Sequence, residues 1–132
     1  MYRLLAILIC FLLSACVRDS ISVRPSPAQL VGTYFYGDGI GPGETLVLHE
    51  NGTFDSSISG DLIVNSVGSG GTWTLDGDRV AFQEAGLAPG EKPFHTFALT
   101  QIYKGHLVLI PGEKADEDKV YLEFIYRKQP WK

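Results

Sequence analysis

The chain has 132 residues, of which 45% are hydrophobic, with 11 basic and 15 acidic side chains. This length is typical of one small domain, and a mildly acidic chain without basic clusters argues against nucleic acid or anionic lipid headgroups as partners. The two cysteines, Cys10 and Cys16, both precede the predicted domain, so we expect no disulfide and no thiol chemistry inside the fold.

Residues 1–15 have the features of a secretory signal peptide. Met1-Tyr2-Arg3 is a short basic start, and residues 4–13 form an unbroken apolar run. Because a membrane-spanning helix needs about 20 apolar residues, this run is too short to cross a bilayer and matches the core of an export signal. We therefore predict that the chain is exported.

Small residues stand just before a cysteine in Leu13-Ser14-Ala15-Cys16, which resembles the lipobox of bacterial lipoproteins. The resemblance implies cleavage before Cys16 and acylation of that residue with fatty acids such as palmitate, which anchor the chain in a membrane. An ordinary signal peptide cut elsewhere is the alternative. Val17 follows the cysteine where an aspartate would indicate retention, and by the same resemblance this favours the periplasmic face of the outer membrane over the inner membrane.

The segment 16–29 is polar, contains Pro25 and Pro27 and has no hydrophobic periodicity. This composition is typical of a tether, and the Ser-Pro repeats argue against a helix. We therefore expect a lipidated tether over 16–29 and one folded domain over 30–132.

The clearest pattern in the domain is a hairpin around Asp76-Gly77-Asp78. Trp73 and Leu75 precede this turn and Val80 and Phe82 follow it, all at alternate positions, so the hairpin places the four side chains on one face. Because a lone hairpin is marginally stable in water, the other strands must cover that face.

The remaining strands are predicted from alternation and from turn residues. Asn51-Gly52 is a strong hairpin signal between two of them, and Lys104-Gly105 predicts a tight turn. The predicted strands are 30–36, 45–49, 53–58, 94–103, 106–110 and 120–128. Residues 62–64 can continue the third of these after a bend at Gly60, and 68–71 is predicted to be a flexible turn.

About eight strands result, nearly all linked by hairpins, and no segment has a helical period. An antiparallel up-and-down meander of this size removes its edges by closing into a small barrel. We predict an all-β fold of this kind, with a flattened two-sheet sandwich as the alternative.

A glycine, a threonine and an aromatic residue recur at three strand entries, Gly32-Thr33-Tyr34, Gly52-Thr53-Phe54 and Gly71-Thr72-Trp73. Together with the predicted hairpins, this arrangement over about residues 30–82 resembles the lipocalin-like, or calycin-like, small barrels found in many bacterial lipoproteins. The resemblance implies a small β-barrel domain carried on a lipid anchor.

Aromatic side chains are the candidate lining of the barrel interior. They either surround a cavity for an apolar ligand or simply fill a barrel of this size. The candidates are Tyr34, Phe54, Trp73, Phe82, Phe97, Phe124 and Tyr126.

No pattern of catalytic or metal-binding residues stands out in the sequence. His49, His95 and His106 lie at loop edges without metal-ligand spacing, so we expect them to be surface residues. The acidic loop 113–118 lacks the ligand spacing of a calcium loop, and no nucleophile motif is present. We therefore predict no catalytic residue, no metal, no cofactor and no enzymatic activity.

The sequence thus predicts a membrane-anchored periplasmic lipoprotein that binds an envelope protein or a small apolar ligand. The alternative is a periplasmic inhibitor or immunity protein that blocks an enzyme through loops such as 37–43 and 85–93. An envelope hydrolase is a third hypothesis.

Overall fold

A computed structural model describes residues 20–60, 67–116 and 121–131. The signal peptide, Cys16 and the strand continuation predicted at 62–64 lie outside these residues. Within the described ranges, no helix has the length and apolar character needed to span a membrane.

The described residues are built mainly from strands. Between the first two strands stands one helical turn, α1 (Pro27–Leu30), and two 3-10 turns, Gly112–Lys114 and Leu122–Phe124, stand between the last two. The strands are β1 (Ser20–Ser22), β2 (Gly32–Tyr36), β3 (Gly43–Leu48), β4 (Thr53–Ser59), β5 (Val67–Asp76), β6 (Arg79–Glu84), β7 (Phe97–Tyr103), β8 (His106–Pro111) and β9 (Tyr126–Lys128).

Eight of these strands form a closed antiparallel barrel. Each strand from β2 to β8 pairs with the next in the chain, and β9 returns to pair with β2. The predicted all-β up-and-down barrel is therefore confirmed, and the two-sheet sandwich does not apply. The hairpin around Gly77 is also as predicted, with Trp73 opposite Phe82 and Leu75 opposite Val80.

The connections alternate between the two ends of the barrel because every neighbouring pair of strands is antiparallel. One end, which we name the tight-turn end, carries the short turns after β3, β5 and β7. The opposite end, the long-loop end, carries the connections after β2, β6 and β8, whose described residues include 37–42, 85–96, 112–116 and 121–125. The two ends therefore differ in how much irregular chain they carry.

The half of the barrel near the tight-turn end has an apolar core. Leu30 in α1 covers this end and is fully buried, and the Tyr34 hydroxyl donates a hydrogen bond to its carbonyl oxygen at 2.6 Å. The Trp73 indole N–H donates to the His49 carbonyl at 3.1 Å, which fixes the ring beside the turn. The buried side chains of this half are Leu30, Tyr34, Leu46, Leu48, Phe54, Trp73, Val80 and Leu109.

The described part of the predicted tether, residues 20–29, packs against the barrel. β6 reaches only Phe97–Leu99 of β7, and β1 pairs with the rest of that strand edge, with Ser20 opposite Tyr103. α1 forms although the Ser-Pro repeats argued against a helix, because proline is tolerated in a first helical turn and the Gln29 side chain accepts the Ser26 N–H at 2.8 Å. The chain therefore enters the fold at the tight-turn end.

The flexible turn predicted at 68–71 is wrong, since these residues belong to β5. The glycines serve close backbone approach instead: a side chain at Gly71 would collide with the carbonyl oxygen of Gln83 on β6.

The predicted strand at 120–128 is wrong over residues 121–125, and its first residue lies outside the described ranges. Residues 122–124 form a 3-10 turn, and Leu122 and Ile125 pack on the outer face of the barrel against Val108 and Ile110. β8 is apolar on both faces, so the chain must cover its outer face as well as its inner one. Leu122 and Ile125, which are three positions apart, provide this cover from a 3-10 turn and its C-cap, so the alternation of apolar residues here does not mark a strand.

Candidate functional site

His95 enters the barrel from the connection between β6 and β7. It is 5% exposed, so the prediction that it is a surface residue is wrong. Its Nδ1 lies 2.9 Å from Glu84 Oε1, and its Nε2 makes a short contact with Glu44 Oε1. A histidine is thus held between two carboxylates at the long-loop end of the barrel.

The two carboxylates occupy positions that alternation assigns to the interior. Glu44 precedes the buried Leu46 and Leu48 on β3, and Glu84 follows Val80 and Phe82 on β6. Their side chains are 4% and 2% exposed, respectively. Toward the long-loop end, each strand thus has two apolar side chains facing inward and then, at the next inward-facing position, an acidic one.

Glu84 also determines the path of the loop. Its carboxylate accepts the backbone N–H groups of Phe94 at 2.9 Å and His95 at 3.1 Å. The imidazole then packs between Phe54 and Phe82, with both ring centroids 5.6 Å from its own. The end of the 85–96 loop is thus bound to the barrel by backbone and side chain together.

Both oxygens of Glu44 carry further hydrogen bonds. Ser56 Oγ donates to Oε1 at 2.5 Å, and the Tyr126 hydroxyl donates to Oε2 at 2.7 Å. We name the five residues Glu44, Ser56, Glu84, His95 and Tyr126 the mouth cluster.

The mouth cluster carries charge despite its burial. Burial alone would lower the pKa of His95, but the hydrogen bonds and charges of Glu44 and Glu84 outweigh it, and the pKa is raised. Burial would likewise raise the pKa of Glu44 and of Glu84, yet the contacts with His95 and the other donors lower both. A carboxylate faces each ring nitrogen, and we infer from this geometry that His95 is an imidazolium that donates from both nitrogens.

A pocket of about 250 Å³ opens beside the cluster at the long-loop end. We name it the mouth pocket. Glu44, His95 and Tyr126 form its inner wall, and Phe94 and Glu113 stand among its exposed residues. The other lining residues are Tyr36, Phe82, Pro93, Thr96, Phe97, Ala98, Pro111 and Gly112.

A second cavity of about 280 Å³ lies on the other side of the same loop. It is lined by Glu84, by Ser56 and Ile58 of β4 and by loop residues such as Leu87. Phe94 borders both cavities, so the chain that carries His95 is the partition between them.

The seven aromatic residues predicted to line the interior fall into three groups. Tyr34, Phe54 and Trp73 fill the apolar half, whereas Phe82 and Tyr126 line the mouth pocket. The side chains of Phe97 and Phe124 lie outside the closed barrel, although Phe97 also borders the mouth pocket. Phe97 lies opposite the exposed Ala81, with the Arg79 guanidinium carbon 3.6 Å from its ring centre, and Phe124 is 39% exposed.

The remaining histidines are away from the mouth cluster. His49 is partly exposed and pairs with Asp55 at 2.6 Å, and His106 stacks on Trp131 with ring centroids 4.7 Å apart. Over the described ranges, no group of three metal-ligating side chains has the arrangement of a metal site.

Four residues of the mouth cluster, Glu44, Ser56, Glu84 and His95, were not recognised from the sequence. The sequence did contain a signal for the two carboxylates. Each lies two residues from an apolar residue of its strand that faces inward, so alternation places it inside the barrel as well. His95 lies outside any strand, so alternation gives no indication of its burial.

Comparison of the chain with family models, with curated proteins and with solved structures finds no match in any of the three. A functional assignment therefore depends on the geometry of the mouth cluster and its pocket.

The first prediction concerns stability against pH. The raised pKa of His95 stabilises the fold fully below the ordinary value of 6.5, and this contribution is lost as the pH rises through the folded-state pKa. The lowered pKa values of Glu44 and Glu84 stabilise the fold fully above the ordinary 4.5, and this contribution is lost as the pH falls through theirs. We expect the contribution of the cluster to be greatest between these two values.

Replacement of His95 should reverse the dependence of the unfolding free energy on pH at acidic pH. In His95→Gln two buried carboxylates lose their counter-charge, so we expect a loss of about 3 kcal/mol near neutral pH and a free energy of unfolding that increases as the pH falls and the carboxylates become protonated. Urea unfolding at a series of pH values measures both effects, with His49→Gln as the exposed control. A variant profile parallel to that of the wild type would contradict the charged cluster.

Proposed function

We propose that the protein is a lipoprotein of the bacterial envelope whose lipocalin-like barrel binds a small molecule in the mouth pocket. In this proposal Cys16 is lipidated and holds the chain at the periplasmic face of the outer membrane, and the protein is not an enzyme. The lipobox-like tetrapeptide supports the anchor, and the single observation that supports binding is a pocket whose inner wall is made of buried, charged side chains.

The contrast between the two halves of the barrel favours the mouth pocket as the binding site. The half near the tight-turn end is filled by its own side chains, whereas the long-loop end has open volume beside Glu44 and His95. At about 250 Å³ the pocket lies just below the range of about 300–1,000 Å³ for drug-sized ligands. A small ligand with a polar group fits better than a wholly apolar one, because the inner wall is charged.

The direction in which the chain enters the fold agrees with an anchored binding domain. Ser20 lies beside Tyr103 at the tight-turn end, and Cys16 precedes it by only four residues. An anchor there would direct the long-loop end away from the membrane surface, where a diffusing ligand has free access.

The bonds of His95 favour binding over catalysis. A general base needs an unprotonated nitrogen within reach of the substrate, whereas both nitrogens of His95 contact carboxylates and its pKa is raised. The imidazolium therefore has no free lone pair with which to accept a proton.

The second prediction tests this proposal by filling the pocket. Thr96 lines the mouth pocket and is exposed, and its backbone carbonyl accepts the Phe82 N–H at 2.9 Å, a bond that does not depend on its side chain. We expect Thr96→Trp to fold but to lose any small molecule that copurifies with the full-length Cys16→Ser chain. Native mass spectrometry detects the bound mass.

The matched control is Thr74→Trp on the outer face of β5, where the side chain is also exposed. This variant should keep the bound molecule. Equal retention by both variants, or an empty wild-type protein together with no ligand in a metabolite panel, would overturn binding in the mouth pocket.

A second candidate function, inhibition of an envelope enzyme, is favoured by the distribution of exposed apolar side chains. Of the large hydrophobic residues that are exposed in the described ranges, all except Ile21 lie at the long-loop end. They are Ile40, Leu87, Phe94, Tyr121 and Phe124. A cluster of this kind at one end is typical of a surface that contacts a protein.

The third prediction tests this candidate with two residues of nearly equal exposure. Phe94 is 64% exposed at the long-loop end, and Ile21 is 69% exposed on β1. If the loops block an enzyme, Phe94→Ser should abolish both capture of that enzyme from envelope extract and inhibition of its activity, while Ile21→Ser should leave both unchanged. Equal behaviour of the two variants would contradict recognition through the loops.

A further inference from the structure

We propose that the mouth pocket binds a small organic cation through a quaternary ammonium group. This inference deepens the binding function proposed above and rests on it. It is carried by three properties of the pocket: surplus negative charge, hydrogen-bond acceptors that are already occupied, and aromatic walls.

The charge around the pocket is negative. Glu44 and Glu113 line it together with one imidazolium, His95, so its charged lining residues carry one surplus negative charge. The second carboxylate partner of His95, Glu84, borders the other cavity. Arg79 is an exposed side chain on the outer face, over the Phe97 ring. The pKa of the Tyr126 hydroxyl reflects this negative charge. It is raised first by burial, then by the charge of Glu44 and, more weakly, by that of Glu113. A cation entering the pocket is therefore attracted.

Hydrogen bonding then selects the kind of cation. The oxygens of Glu44 already accept bonds from His95, Ser56 and Tyr126. Across the described part of the chain, no buried side-chain nitrogen or oxygen lacks a hydrogen-bond partner. A primary ammonium brings three N–H donors that need acceptors. The exposed carboxylate of Glu113 can accept at the rim, but donors directed at the inner wall meet oxygens that are already bonded, which costs free energy. A quaternary ammonium has no N–H group and avoids this cost.

The walls of the pocket are suited to such a group. Tyr36, Phe82, Phe94 and Tyr126 contribute aromatic side chains to its lining, and the rings of Tyr36 and Tyr126 lie 5.0 Å apart at an interplanar angle of 43°. Aromatic rings attract cations through their quadrupole, and assemblies of them recognise quaternary ammonium groups. The volume of about 250 Å³ accommodates a headgroup of this size and excludes a long acyl chain.

The fourth prediction uses three probes of the same shape and number of non-hydrogen atoms. Tetramethylammonium is a cation without N–H groups, tert-butylammonium is a cation with three, and tert-butanol is neutral. Calorimetric titration of the full-length chain in nonionic detergent should give an affinity for tetramethylammonium at least about tenfold above that for tert-butanol, with tert-butylammonium between them.

Matched charge variants locate the effect. Glu113→Gln removes a rim carboxylate without touching the mouth cluster, and we expect tetramethylammonium to bind about threefold more weakly. Glu50→Gln removes an exposed carboxylate near the tight turn after β3 and should change nothing. Equal effects of the two variants would assign the binding to nonspecific charge and overturn the inference.

Each remaining outcome decides the inference as well. If tert-butanol binds as tightly as tetramethylammonium, the cation class is wrong while small-molecule binding stands. Tighter binding of tert-butylammonium, or no binding of any of the three probes, also overturns the quaternary ammonium class, and the Thr96→Trp experiment then decides the binding function separately. Competition with phosphatidylcholine mixed into the detergent micelles distinguishes the two sources of this group. Displacement of bound tetramethylammonium assigns the site to a lipid headgroup, and lack of displacement assigns it to a free molecule.

Discussion

The structure depends on the pairing of buried charge at the long-loop end. A carboxylate is costly inside a protein unless a counter-charge and hydrogen bonds compensate for lost water, and the barrel holds two, Glu44 and Glu84. His95 supplies the counter-charge, but it comes from a loop, so the loop must fold inward to deliver it. The path of residues 85–96, the partition between the two cavities and the shape of the mouth pocket all result from that requirement.

Apolar packing and open volume are thus separated along the barrel axis. The tight-turn half is closed by α1 and packed with apolar side chains. The packing of this half therefore does not depend on the mouth cluster. At the long-loop end, the layer of side chains beyond Phe54 and Phe82 is polar and leaves open volume. In the proposed function, this division would offer a ligand a charged wall without weakening the core that holds the strands.

The fold was predictable because it rests on local signals. Alternation around Trp73 and Phe82 and the Asn51-Gly52 and Gly77 turns fix strand pairs between neighbours in the chain, and the meander results from them. Elements that depend on distant partners were missed: β1 fills an edge of β7 that β6 leaves open, and residues 122–125 cover the outer face of β8. His95 belongs to the same class, since its burial depends on Glu44, 51 positions away.

The central claim is that His95 is an imidazolium bound between two carboxylates, and nitrogen NMR of its ring tests this most directly. At neutral pH we expect both Nδ1 and Nε2 to carry a proton that exchanges slowly with solvent, with each proton coupled to its nitrogen and shifted as in a strong hydrogen bond to a carboxylate. A neutral ring, with one nitrogen unprotonated at about pH 7, would contradict the account.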